Sequence, residues 1–364
     1  MRILVACGGT GGHFYPGYSA ALELRKQGAE ILFLVRRGDS AARVLRDGCL
    51  PYAELELTGL PRSLNPFRHA AFAMKLGGAL LQARRVVKDW RPDAVFGTGG
   101  YISFPAVFWA ALSGIPALVH ESNAIPGLAN LLLARFGAKV AAGLPVRGFP
   151  AKTEITLTGT PIREFFASAP DRAQARAAFG LLADRPVILC FGGSGGAIGL
   201  NTALSKSAAG AQWKDVQILH ITGRRDFAKI SRAYGTLPTN VKLLEYSDRM
   251  DLAYAAADLL LCRSGASTVA ELLALKKPAI LVPFPEAAAD HQTENAKVLV
   301  QAGAALLLPE TPGLAEKLSA TVPALAKDAS RLSAMSAAYD SLQIPSPLKS
   351  GALLAGVLRK LASP

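Results

Sequence analysis

The stretch ILVACGGTGGHFYPG (residues 3–17) runs from an apolar segment through four glycines in six positions into a helix-like segment. A continuous Ile/Leu/Val run has no polar face. It reads as a strand buried on both sides, the pattern of a parallel sheet covered by helices. Glycines cost conformational entropy, so a turn this rich in them reads as a place where backbone approaches a ligand. VILCFGGSGGAIGLN (187–201) repeats strand, Gly-rich turn and helix about half the chain later. The echo implies two similar open α/β domains, and 364 residues leave room for them.

The rhythm continues between and beyond the two stretches. EILFLV, DAVFGTG and PALVHE read as strands of the first half, and VQILHIT, ADLLLC and PAILVPFP as strands of the second. Gly159 and Pro161 break structure within GTPIREFF (159–166), which places the join there. Residues 1–162 and 163–344 are the expected domains. The helical tail, about 345–364, is expected to pack back on the first. Ligands of open α/β sheets bind beyond the carboxyl ends of the strands, so the expected site is the cleft between two facing sheets.

Composition narrows the function. With 51% hydrophobic and 18% charged residues, the chain fills its cores. The net charge is +13, and residues 62–91 hold seven Lys/Arg against one acid, mixed with Phe67, Phe72, Met74, Leu76, Leu80, Leu81 and Trp90. Two readings stand: a helix for an anionic membrane surface, or a solvated basic face. Nucleic acid is not expected, since neither an aromatic platform nor a zinc pattern accompanies the charge. Tyr101 to Val119 carries no charge but is broken by Pro105, Gly114 and Pro116, and reads as a buried helix and strand. Four scattered cysteines imply neither a disulfide frame nor a metal site, and fit a reducing compartment.

Three Gly-rich turns follow strands: GGTGGH (8–13), GTGGY (97–101) and GGSGGA (192–197). Helix N-termini after such turns take phosphates. A dinucleotide fingerprint is not met, because Phe14 stands where the third glycine belongs and Val35-Arg36-Arg37 offers no ribose carboxylate. The arginine pair keeps NADP as a minor alternative. No Gly-Lys-Ser/Thr follows, so there is no P-loop. Thr268 and Glu271 have capping-box spacing, with a sugar or ribose contact as the other reading of Glu271. No D-x-D motif occurs, which points to helix dipoles and basic side chains, with no metal, to neutralise a leaving diphosphate.

In order, GGTGGHFYPG, GTGGYISFP, HESNAIPGLAN, GTPIR, FGGSGGAIGLN, CRSGASTVAEL, VPFP and DHQTENA span nearly the whole chain. Together they resemble the MurG family, the peptidoglycan enzymes that add N-acetylglucosamine to lipid I. The resemblance implies the GT-B fold, two Rossmann-like parallel-sheet domains. It implies UDP-N-acetylglucosamine as donor, undecaprenyl-linked lipid I as acceptor, and inverting transfer at the cytoplasmic face of the membrane without a cofactor. A UDP-N-acetylglucosamine 2-epimerase, another GT-B glycolipid transferase and a nucleotide-sugar-binding module are the alternatives.

The resemblance also implies roles. Arg163 and Ser247 lie on the uracil side, and Ser194 on the diphosphate. Ala266, Ser267, Thr268, Val269, Ala270 and Glu271 line the ribose and sugar, with Glu271 on ribose hydroxyls and Gln292 on sugar hydroxyls. Thr10, Gly11, Gly12 and Asn123 join the donor site from the first domain, while Gly99, Gly100 and Tyr101 face the acceptor's diphosphate. His13 is implied as the base or a group that orients one, since an imidazole takes a proton near neutral pH. Its other readings are a phosphate holder or a packing residue. Three positions depart from the family pattern: Gly195 replaces a usual glutamine, His291 stands where some members have a second glutamine, and Ser247 replaces an apolar residue.

Overall fold

A computed structural model describes residues 1–9, 11–59, 65–168, 170–193 and 195–363. The chain forms two compact units, Met1–Arg163 with Ile344–Pro364, and Glu164–Gln343. Among the described residues the first unit has seven strands: β1 (Arg2–Ala6), β2 (Glu30–Arg36), β3 (Tyr52–Leu55), β4 (Ala94–Gly97), β5 (Ala117–Glu121), β6 (Lys139–Ala142) and β7 (Ile155–Leu157). They lie in the order β3-β2-β1-β4-β5-β6-β7, and every pair is parallel.

Two-residue alternation divides each strand between two cores. Ile3 and Val5 join Phe33, Val35, Ala20 and Leu24 on one face. Leu4 and Ala6 join Leu34, Val95, Ile102, Val107 and Leu133 on the other. The uncharged stretch divides as the sequence suggests, into the helix Gly100–Leu112 and strand β5. No helix among the described residues is long and apolar enough to cross a membrane.

The helix after β1, Gly11–Lys26, begins earlier than its apolar pattern shows and runs through Pro16. It lies close on the sheet because Gly17 has no side chain: a Cβ there would come within 2.9 Å of Cys7 and Thr98. The tail helix Ser350–Ala362 covers the same helix, with Leu354, Ala355 and Leu358 in its core.

In the second unit the described strands are β8 (Val187–Phe191), β9 (Gln217–Ile221), β10 (Val241–Leu244), β11 (Leu259–Cys262), β12 (Ala279–Leu281) and β13 (Ala305–Leu307). Their order is β10-β9-β8-β11-β12-β13, again all parallel. Ile188, Ile218, Leu261 and Ile280 pack with Leu200, Leu204, Trp213, Leu318 and Val322. Burial pushes the thiols of Cys7, Cys190 and Cys262 up, so they serve as packing atoms. In each unit the first strand lies between the second and the fourth, β1 between β2 and β4 and β8 between β9 and β11. Chain direction around the sheet reverses there, which opens a crevice at the strands' carboxyl ends.

The tail contact gives a direct test. Gly351 sits against Ser19, leaving no room for a side chain. Gly351→Val is expected to destabilise the first unit by roughly 1–3 kcal/mol through overpacking. An unchanged denaturant midpoint would show that the tail yields freely.

Candidate active site

In the first unit the turns after β1 and β4 meet at the switch point. The His13 ring lies over Gly99 and Gly100, and its Nδ1 stands 2.9 Å from the Thr98 carbonyl. The Thr98 hydroxyl donates in return to the His13 carbonyl. A carbonyl only accepts, so Nδ1 carries the proton of the neutral ring and Nε2 keeps its lone pair. The two glycines turn beneath the ring with φ of 91° and 67°, a region that favours glycine. Tyr101, on the helix that starts there, packs its hydroxyl end against Gly59 and stays partly exposed.

A carboxylate organises the next turn. Glu121, buried at the end of β5, accepts at Oε1 from the Asn123 backbone and side-chain amides, both at 3.0 Å. Its Oε2 accepts from Gly127 N–H and Asn130 Nδ2, both at 2.9 Å. Asn130 in turn approaches Gly99, so Asn123, Asn130, Gly99 and His13 form one connected patch. Behind it His120 donates Nε2–H to the Gly159 carbonyl and accepts at Nδ1 from Ser122. Burial pushes His120 down to about 4, so it is neutral.

The turn after β2 shows what lies beyond the arginine pair. A carboxylate does follow Arg37: Asp39 accepts from Gly9 N–H at Oδ2 and from Ala41 N–H at Oδ1. Both oxygens are committed to backbone, the second as the cap of helix Ser40–Asp47, so Asp39 holds the Gly-rich turn and is not a ribose ligand. Helix Gly11–Lys26 begins at this turn, and the first N–H groups of a helix have no partner within it. Thr10 lies outside the described residues.

In the second unit the turn Gly192–Ala197 leads into helix Ile198–Ser207. Ser194 lies outside the described residues. Arg225 donates from Nε and Nη2 to the Gly195 carbonyl, and a Cβ at Gly195 would sit 2.8 Å from that guanidinium. Beneath the turn, Asn201 donates to the Thr222 carbonyl and to Asp226, and its Oδ1 accepts Nε2–H from His220. His220 Nδ1 then accepts from the Tyr234 hydroxyl. Burial pushes His220 down to about 3.

The turn after β11 overturns the capping reading. Helix Ala266–Leu275 starts on Gly265 with no side-chain cap, which places Thr268 inside the first turn. Glu271 is buried and accepts from the Tyr254 hydroxyl at 2.6 Å. Ser264 donates to the Gln292 carbonyl, and the Gln292 side chain accepts from Phe284 N–H at 2.9 Å, which leaves its NH₂ as donor. The segment Ala266–Glu271 and Gln292 are therefore joined at one edge of the sheet. Ser247 follows β10, where its hydroxyl accepts from Arg249 N–H. Arg163 ends the first unit. Glu121, Asn130, Asp39 and Arg225 are the structural residues that local spacing did not single out. Asp39 and Arg225 each act on backbone thirty residues away, while Glu121 and Asn130 bind within the turn that follows β5.

Residues 3–142 match the glycosyltransferase family 28 N-terminal domain, and residues 187–348 its C-terminal domain. With two parallel-sheet units, the protein is a two-domain glycosyltransferase of the GT-B class. The UDP-N-acetylglucosamine–N-acetylmuramyl-(pentapeptide) pyrophosphoryl-undecaprenol N-acetylglucosamine transferase of Elusimicrobium minutum is 41% identical over 362 residues, 99% of each chain. The crystal structure of Acinetobacter baumannii MurG is similar with a TM-score of 0.78 and 30% identity, covering 99% of both chains. A UDP-GlcNAc 2-epimerase from Neisseria meningitidis has a TM-score of 0.69 at 16% identity over 99% of this chain and all of its own, a likeness of fold alone. The chain belongs to the family of UDP-N-acetylglucosamine–N-acetylmuramyl-(pentapeptide) pyrophosphoryl-undecaprenol N-acetylglucosamine transferases.

The two buried histidines make stability depend on acid. Their folded-state values, about 4 and about 3, lie below the ordinary value near 6.5. The unfolded chain binds their protons first, so their contribution is complete above about pH 6.5 and is lost as pH falls toward the folded values. Each pH unit in that window removes about 1.4 kcal/mol per histidine. Denaturant midpoints are expected to fall below pH 6.5, with a shallower fall in His220→Gln. Equal slopes would remove His220 from the acid response.

Proposed function

We propose that this chain transfers N-acetylglucosamine from UDP-N-acetylglucosamine to the C4 hydroxyl of the muramyl sugar on undecaprenyl-diphosphate-linked MurNAc-pentapeptide, inverting the anomeric centre. The carrying observation is the His13–Thr98 pair, set in a chain 41% identical to a transferase named for this reaction. Nε2 of His13 takes the hydroxyl proton as the oxygen attacks C1. The Thr98 carbonyl holds Nδ1–H, which keeps the tautomer and steadies the ring when it is charged. Gly99, Gly100 and Tyr101 are assigned to the acceptor's diphosphate.

The second unit serves the donor in this reading. The N-terminus of helix Ile198–Ser207 faces the leaving diphosphate, with the exposed Arg225 held at Gly195 beside it. Gly195, the departure from the family pattern, makes room for that cation. Ala266 to Ala270 line the sugar, Glu271 takes ribose hydroxyls, and Gln292 donates to the sugar. Ser247 and Arg163 are assigned to the uracil side.

The acceptor's lipid explains the helix Pro66–Trp90. None of residues 65–78 is buried, and Phe67 and Met74 are 82% and 75% exposed. Burying one such side chain contributes about 1.5–3 kcal/mol, which favours docking into a lipid interface. Arg68, Lys75, Arg84, Arg85 and Lys88 follow along the helix, with Asp89 as its one acid. This supports peripheral attachment to an anionic membrane at its cytoplasmic face. An epimerase has no use for such a surface, and epimer formed from UDP-N-acetylglucosamine without acceptor would sink the transferase reading.

Two measurements test the roles. His13→Ala is expected to lower kcat at least ~10²-fold, the scale of general base catalysis, with UDP affinity unchanged. Near-normal turnover would remove His13 from the chemistry. Arg84 stacks on Trp109, so charge reversal belongs at Arg68 and Lys75. Arg68→Glu with Lys75→Glu is expected to weaken binding to anionic vesicles, and added salt to do the same in the parent. Insensitivity to both would leave a solvated basic face.

A further inference from the structure

The second unit carries a cavity of about 580 Å³ at the edge of its sheet opposite the Gly-rich turns. It is built from the segments that enter β8, β11 and β12, together with helices Arg172–Ala178 and Ala329–Ala338. Six cations line it, Arg172, Arg176, Arg185, Lys276, Lys277 and Lys327, against the carboxylates of Asp184 and Asp258.

The contacts compensate this charge only in part. Asp258 is shared by Arg172 at 2.5 Å and Arg176 at 2.6 Å, and also accepts from Val187 N–H. Arg176 spends its other donors on the Ala256 and Ala183 carbonyls. Lys277 forms no ion pair among the described residues and donates to the Ala257 carbonyl at 2.7 Å. Lys276 and Lys327 pair outward, with Asp340 and Asp215. The C-terminal ends of helices Ala266–Leu275 and Leu314–Lys327 draw cations to this edge, but each supplies only about half a negative charge. The cavity stays positive.

Its wall is also rigid. Lys276 caps its helix at φ 49°, where glycine is usual. Ser336 and Tyr339 pin the carbonyls of Lys276 and Lys277. We propose that this cavity is a binding site for a small phosphorylated molecule carrying at least two negative charges, with Lys277 and Arg172 as its principal contacts and Lys276 at its rim. Its volume lies in the range of small-molecule sites. It is distinct from the donor turns, which lie at the other ends of the same strands. Burial, with Arg172 and Arg176 adding to it and Asp258 opposing, pushes Lys277 down to about 8. A bound anion would hold it charged.

Calorimetry with inorganic pyrophosphate on the full chain tests the site. Saturable binding is expected, weakened at least ~10-fold by Lys277→Gln and by the exposed Arg172→Gln, while UDP affinity is unchanged. Sulfate, whose charge is constant between pH 7 and 9, should bind more weakly as pH rises through Lys277's value, and that trend should vanish in Lys277→Gln. Absence of binding, equal affinity in the parent and Arg172→Gln, or a parallel loss of UDP affinity would overturn the proposal. Should Lys277→Gln fail to fold, the Arg172→Gln comparison decides alone.

Discussion

The contact between the His13 imidazole and the Thr98 carbonyl ties together the turns at the carboxyl edge of the first sheet. It ties two turns 85 residues apart, and the Thr98 hydroxyl returns the bond to the His13 backbone. Around it the structure has little freedom. Gly17 must be small for the helix to come this close, and Gly99 and Gly100 must adopt positive φ to pass beneath the ring. A parallel sheet makes the meeting possible, because every strand ends at the same edge and delivers its turn there.

The second unit uses the same topology and fills the equivalent crevice differently. Among the described residues no imidazole lies over its Gly-rich turn. That turn is braced from below by the neutral chain Tyr234–His220–Asn201 and from the side by Arg225. The turn thus has a guanidinium at Gly195 and the Asp226 carboxylate against Gly196, with the neutral imidazole chain beneath. One unit therefore presents a lone pair and the other a guanidinium beside its turn. The proposed transfer uses the first for the proton of the attacking oxygen and the second for the charge of the leaving diphosphate.

Much of this was legible in the residues. Apolar runs ending in glycines mark strands buried on both faces, so two parallel-sheet domains follow from ILVACGGTGG and VILCFGGSGG, while the strand order that sets the switch points does not. Short edge strands were not legible: β3 and β10 are four residues long, each interrupted by a charge (Glu54, Lys242), and defined by their neighbours. The site was legible as motifs and not as wiring. Thr268 and Glu271 have capping-box spacing, yet Gly265 begins the helix and Tyr254, seventeen positions before Glu271, takes the carboxylate. Asp39 lies just beyond a strand end that shows only arginines, and reaches back thirty residues to Gly9. Sequence spacing reports partners within a helical turn, whereas these bonds are set by which strands are adjacent.

The choice of partner for His13 has a chemical consequence. A carboxylate at Nδ1 would compete for the proton and bind the imidazolium strongly. A backbone carbonyl orients the ring and fixes the tautomer while staying neutral. The nearest carboxylate of this patch, Glu121, is kept from that role by four N–H groups, from Asn123, Gly127 and Asn130, which saturate both of its oxygens. The fold thus spends its buried acid on shaping the Asn123 turn and leaves the imidazole to a partner that cannot take its proton. In the proposed role as base the ring gains from such a partner, because a neutral carbonyl does not trap the charged form.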